Sequence, residues 1–362
     1  MNAEEMLAGI RKGVRLIGGN FAGVDLSRQD LSGIILEGVH LAKANLNGVK
    51  LRDSTLIRVN LTSAGLAGAD LSGCRIEDVD LTGARMGKAV LADASLQNVS
   101  LIGTDLSEAD LSNMYASNCD LKGAKCLGAT FMNASLRECK FNAVDLTGAN
   151  LSRLTAGGGD FSGAVFNKTD LTKACLADGK FEKQRFPGCT LMLTKFDQGH
   201  IQGADFSGLD LTQTSFSGAN LAAAKFVHSR GKYTNFGGII APGADFSDVD
   251  FFMIRFSKAH LAGAIFRRAR IEQSLFDNSH MEKCDFRQAE LSYTDFSYAV
   301  ATGADFSDAR LDRSNFHGVR RKEAVWSGAD TETIYDTDHK LWEAENWVPL
   351  TKEEIRRNLK NE

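Results

Sequence analysis

Residues 64–73 read AGLAGADLSG, and the same five-residue form returns as Ala149-Asn150-Leu151-Ser152-Arg153 and Ala304-Asp305-Phe306-Ser307-Asp308. Working outward from Leu71 in steps of five, one unbroken phase runs from Leu16 to Trp326 through 63 positions, of which 55 are Leu, Phe, Ile or Met. The exceptions are Ala116, Cys126, Ala156, Gly231, Ala241, Ala301, Arg321 and Trp326, and only Arg321 is charged. Two residues before each centre stands a mostly small side chain, as at Ala44, Ala69, Ala134, Ala219 and Ala264, and Asp or Asn recurs between the two. A period of five fits neither a helix at 3.6 nor a strand at 2, so neither element buries this apolar set on one face. A chain that turns a corner every five residues does, with one large and one small residue inward on each side.

At this copy number the form A(D/N)(L/F)xx resembles the pentapeptide-repeat family, over roughly residues 16–326. The resemblance implies an all-β fold, a right-handed quadrilateral β-solenoid with four sides and about twenty residues per coil. Backbones stacked at ~4.8 Å then give a rod of about sixteen coils, roughly 75 Å long. From Phe186 to Phe316 every tenth residue is Phe, fourteen of fourteen, while the intervening centres hold only Phe251. Two opposite sides therefore carry continuous Phe ladders and alternate with sides of smaller residues, an arrangement that close packing of a square interior favours.

A solenoid adds core one coil at a time, so 362 residues count repeats and not domains. Its ends expose an unpaired coil and need caps. Residues 1–15 are expected to form an N-terminal cap helix, with Met6, Leu7 and Ile10 at helical spacing; 16–326 form the solenoid; and 327–362 form a C-terminal cap or tail with a short helix. In that tail Thr351-Lys352-Glu353-Glu354 reads as a capping box before Ile355 and Leu359, and Trp342, Trp347 and Leu350 are positioned to dock on the last coil.

The formal charge of −4 lies in the tail, where nine acids face five bases from Gly328 onward. The preceding residues hold 37 of each sign, and a neutral rod neither attracts nor imitates nucleic acid through net charge. Seven Cys without a CxxC pair argue against a disulfide framework, and Cys74, Cys119, Cys139, Cys189 and Cys284 share the small inward position. They read as buried hydrophobes of a reducing compartment. No apolar run approaches 18 residues and no secretory leader opens the chain, so a cytoplasmic protein without a membrane span is expected, a non-Sec export route being left open.

Catalysis needs a concave site with convergent polar groups, and a filled solenoid has flat faces. No phosphate loop, nucleophile elbow or metal-ligand cluster is present in the sequence, so no catalytic residue, cofactor or metal is expected. The repeated Asp residues read as corner-forming groups that bond nearby backbone. His260 and His280 should stack one coil apart, with His200 three coils earlier, yet Ile240 and Val300 flank them and supply no further ligand. Met192, Leu193, Tyr233, Phe252, Met253 and Tyr293 point outward on one predicted side, with Tyr298 around the next corner, and form the candidate protein-binding patch. Beside it stand Arg255, Arg267, Arg268, Arg270 and Arg287, which Asp245, Asp248, Glu272 and Asp285 should neutralise, so no nucleic-acid binding is expected.

The expectation is a non-enzymatic protein-binding scaffold of bacterial type, whose partner is another protein or a second copy. The resemblance implies two alternatives. One is a DNA-mimicking binder of gyrase or topoisomerase, although such members are strongly acidic and this solenoid is neutral. The other is a secretion-system effector or accessory protein.

Overall fold

A computed structural model describes Glu4 and residues 15–347. Parallel pairing advances by twenty residues at every step, from Arg15↔Ile35 to Asn315↔Tyr335. Four pentapeptides therefore close each coil, and the centres fall into four vertical rows. Side 1 carries Leu16 to Phe316, side 2 starts at Phe21, side 3 at Leu26, and side 4 runs from Leu31 to Leu311. Each coil donates both ways: the Asn45 N–H bonds the Val24 carbonyl of the coil before at 2.8 Å, and the Leu46 N–H bonds the Gly65 carbonyl of the coil after at 2.7 Å. This satisfies the backbone of an element too short to do so within itself.

Corners form where the residue two after each centre enters the left-handed region. At Leu41–Ala44 the Ala44 N–H closes a β-turn onto the Leu41 carbonyl at 3.0 Å, with Lys43 at φ +58°. That geometry favours glycine, which fills the same slot at Gly73 with φ +65°. The Asp before the centre stabilises the corner as expected: Asp70 Oδ1 accepts from the Ser72 N–H at 3.1 Å and from its hydroxyl at 2.6 Å.

Regular strands occur where the side stays extended through three residues. Side 1 of the first half holds Arg15–Ile17 (β1), Ile35–Glu37 (β2), Thr55–Ile57 (β3), Arg75–Glu77 (β4), Ser95–Gln97 (β5), Tyr115–Ser117 (β6) and Ser135–Arg137 (β7), a seven-stranded parallel sheet. Side 4 of the second half holds Arg230–Lys232 (β8), Asp250–Phe252 (β9) and Arg270–Glu272 (β10), a three-stranded one.

The inward residues form a single buried column. Both Phe ladders are present, on opposite sides 1 and 3. Phe236 and Phe256 stack at 4.9 Å and 5°, Phe246 and Phe266 at 4.9 Å and 3°, and the ladders meet edge to face, as between Phe246 and Phe256 at 5.4 Å and 87°. A third run, Phe141, Phe161 and Phe181 on side 2, hands over to side 1 through the edge contact of Phe181 with Phe196 at 5.3 Å. Small inward positions accept hydroxyls because a carbonyl of the preceding coil lies in reach: Thr234 Oγ1 donates to Leu211 O at 2.7 Å. The five cysteines named at this position are buried, and burial pushes the Cys74 thiol up to about 12.

The closed interior runs from Phe21 to Phe316, which is 296 residues and short of the 320 that sixteen coils take, because terminal coils have a neighbour on one side only. Trp326 ends the side 3 ladder on Phe306 at 4.6 Å, with the Arg321 guanidinium over its ring at 5.7 Å. The charged centre thus sits where the core opens to solvent. One helix is described, His339–Glu345 (α1), with Asp338 as its N-cap accepting from Lys340 and Leu341. The expected N-terminal cap and the capping box at Thr351–Glu354 lie outside the described residues.

Candidate functional site

On every side the outward residues form three columns, one ahead of the centre at mid-side and two after it at the corner. Side 4 of the C-terminal half differs from the rest in two of them. Its outer corner column reads Leu193, Gln213, Tyr233, Met253, Gln273 and Tyr293, one residue per coil, and Met192 and Phe252 lie in the column beside it. Tyr233 is 57% exposed, Tyr293 50%, Met192 47% and Met253 40%, while Leu193 and Phe252 are half-buried. Six of the seven residues expected in the patch therefore share one side, interrupted by Gln213 and Gln273.

Tyr298 does not belong with them. It lies on side 1, and its hydroxyl donates to Glu345 of α1 while its ring stacks on Trp342 at 6.4 Å. His317 joins this contact: its Nδ1 accepts from the Asp338 N–H at 3.2 Å and its Nε2 donates to Glu345 at 3.2 Å. Of the three tail residues expected to dock, Trp342 does so and Leu350 lies outside the described residues. Trp347 is 71% exposed, since it follows the helix cap Asn346 and is past the last coil.

The corner members of the patch hold strained backbone: φ is +61° at Leu193, +58° at Tyr233, +54° at Met253 and +59° at Tyr293. A side chain in this region costs about 1–2 kcal/mol against glycine. The same slot is glycine at Gly73 and Gly303, with φ +65° and +68°.

The mid-side column next to the patch alternates in sign, Asp210, Arg230, Asp250, Arg270, Glu290 and Arg310, and composition alone does not reveal it. Arg230 bonds Asp210 at 3.1 Å, and Arg270 and Arg310 approach Glu290 at 3.8 and 3.9 Å. Four of the five arginines are neutralised as expected: Arg268 grips Asp248 with two bonds of 2.7 Å, Arg267 and Arg287 share Asp285, and Arg270 bonds Glu272 at 2.9 Å, whereas Asp245 accepts from the Ser247 N–H at 2.9 Å instead of pairing with Arg255. The hydrogen bonds from Arg287, then from Arg267, hold the Asp285 carboxyl far below the usual carboxylate range. His260 and His280 stack at 4.8 Å and 8°, and among the described residues no group of three His, Cys, Asp or Glu is placed to hold a metal ion. No described helix is long and apolar enough to cross a membrane.

The family model described as pentapeptide repeats matches eight copies in this chain, over residues 20–56, 40–78, 74–113, 117–153, 186–230, 254–292 and 289–320. The chain belongs to the pentapeptide-repeat family. No curated protein matches it in sequence. Among solved structures it is similar to HetL, a pentapeptide-repeat protein involved in heterocyst differentiation regulation from the cyanobacterium Nostoc sp. strain PCC 7120, at 20% identity and TM-score 0.21, covering 93% of this chain and 98% of HetL. A pentapeptide-repeat protein from the cyanobacterium Cyanothece 51142, Rfr23, matches at 21% identity and TM-score 0.18, covering 46% of this chain and 95% of the other. QnrB1, a plasmid-mediated fluoroquinolone resistance protein, matches at 19% identity and TM-score 0.28, covering 45% and 84%. At these values none of the three bears on function. As a pentapeptide-repeat solenoid the chain presents its columns at fixed spacing, so side 4 is a rigid strip that combines exposed apolar groups with self-neutralised charge.

Proposed function

We propose that the chain is a non-enzymatic protein-binding scaffold that engages its partner through side 4 of the C-terminal half, using Met192, Leu193, Tyr233, Phe252, Met253 and Tyr293. The observation that supports this most is the run of exposed Tyr and Met side chains at the corner of this one side. Leu, Tyr, Met and Tyr occupy left-handed positions where Gly is the relaxed choice, and the exposed Tyr and Met give little packing to the rod in return. Exposed aromatic and Met side chains on a flat, water-displacing face fit the anchors of a protein interface. DNA mimicry needs surplus negative charge, whereas this rod is neutral.

The test is affinity capture from source cells with wild type beside the double variant Phe252→Asp, Tyr293→Asp, read by mass spectrometry, with circular dichroism verifying both folds. A protein recovered only by wild type is the expected result. Matching captures would remove side 4 as the binding face.

A further inference from the structure

Two of the three outward columns of side 4 match themselves when read backwards, while the column between them sets Lys232 against Phe252. Take as midpoint the step between the coil of Tyr233 and the coil of Met253. Outward from it the corner column reads Tyr233, Gln213, Leu193 one way and Met253, Gln273, Tyr293 the other, so apolar meets apolar and Gln meets Gln. From the same midpoint the mid-side column reads Arg230, Asp210, Thr190, Asp170 one way and Asp250, Arg270, Glu290, Arg310 the other. Three of those four pairs are opposite in charge, and the fourth sets Thr190 against Glu290.

We propose that side 4 docks onto side 4 of a second copy of this chain, the rods antiparallel, about a two-fold axis passing between the coils of Tyr233 and Met253. The proposal rests on the reading of side 4 as a protein-binding face and names its occupant. An axis lying in the interface across both rods lays each column over its own counterpart in reversed order, the self-complementarity that an isologous contact requires. Tyr233 then meets the second copy's Met253, Tyr293 meets its Leu193, and Arg230 meets its Asp250.

Alternating charge alone does not point to a dimer, because stacked neighbours of opposite sign stabilise the rod itself. Side 3 also alternates, through Arg185, Asp205, Lys225 and Asp245, but its corner column there reads Gly188, Gly208, His228 and Asp248 and is not apolar. Only on side 4 do an apolar and a charged column share one midpoint. A second ladder laid one step out of phase gives six of the column's seven charges a further opposite neighbour while the pairs Arg230–Asp210, Arg270–Glu290 and Arg310–Glu290 stay intact, which keeps the desolvation cost low. At the rim Lys173 faces Arg313, which lies in solvent over the Tyr293 ring at 5.7 Å. The eight coils from Asp170 to Arg310 span about 34 Å. A strip roughly 12 Å wide then covers about 400 Å² per copy, about 800 Å² in all and below the ~1,000 Å² of a stable interface, so the association is a weak one.

Sedimentation velocity of the full chain from about 1 to about 200 µM tests this. Wild type is expected to pass from monomer to dimer. Tyr233→Asp and Met253→Lys each weaken association about tenfold or more. An equimolar mixture of the two variants recovers it, because their substituted side chains face each other across the axis. Ile240→Asp, at an exposed position on side 2, behaves as wild type. Circular dichroism confirms that every variant folds. A wild type monomeric throughout, a mixture no better than either variant alone, or an equal loss in Ile240→Asp overturns the proposal. If wild type stays monomeric but the capture experiment loses a partner in Phe252→Asp, Tyr293→Asp, the dimer alone falls. If the chain dimerises in this register while both captures match, the dimer stands and a separate protein partner on side 4 falls.

Discussion

Tyr233 shows what a single corner position demands. At φ +58° its backbone is costly for any side chain with a Cβ, while its ring is more than half exposed and recovers little by packing. Replacing it by Gly removes about 1–2 kcal/mol of strain and adds about 0.5–1 kcal/mol of lost chain entropy. Tyr233→Gly is therefore expected to leave the rod as stable as wild type or up to about 1.5 kcal/mol more stable in urea unfolding, while weakening whatever side 4 binds. A clear loss of stability would show that the ring holds the rod together. The outward direction of Tyr233 was legible from its distance to the centre Gly231. The sign of its φ was not, because a corner residue's conformation is set by the coil it must close. Tyr298 has the same slot and φ, but only the tertiary structure brings α1 over it.

Phe256 belongs to an element that exists only by stacking. Its ring lies between Phe236 at 4.9 Å and Phe276 at 4.7 Å, and it meets Phe246 and Phe266 edge-on. Phe252, four residues away, points outward beside the charge ladder. Phe256→Asp is expected to bury an unpaired carboxylate, cost at least about 3–5 kcal/mol and abolish the melting transition of the adjoining coils. Phe252→Asp is expected to leave the melting midpoint and far-UV spectrum as in wild type. Unfolding by Phe252→Asp would invert the assignment of inside and outside. The ladders were legible because a ten-residue Phe period has one physical use in a twenty-residue coil. The two short sheets were not, since turn and strand variants of a side bury the same inward residues and differ only in how the corner closes.

Across the whole molecule the Asp rows act together. The Ser107 hydroxyl and backbone N–H hold Asp105 below its ordinary value, and Arg287 and Arg267 do so more strongly for Asp285. A carboxylate lowered in the folded state contributes stability that is complete above its unfolded value near 4 and is lost as pH falls through its native value. The melting midpoint is thus expected to stay level from pH 7 to pH 5 and to drop below about pH 4. A midpoint unchanged at pH 3 would mean that corner hydrogen bonds survive protonation and add nothing net. Because each coil touches only its neighbours, a local defect propagates along the rod and not across a shared globular core.

The five-residue phase determined the inward and outward sets and the corner role of Asp, and together with the twenty-residue coil that the family resemblance implied it placed the opposed Phe ladders and the histidine stack. All are short-range consequences of one side repeated, which a linear pattern encodes in full. The tertiary structure decided the docking of α1 onto Tyr298 and His317, the exposure of Trp347 and the coils at which the interior closes. It also set which side runs as strand and how the columns of side 4 lie against one another. Those depend on groups twenty or more residues apart meeting in space, where the closing geometry of a coil, and not its residue pattern, selects the neighbour.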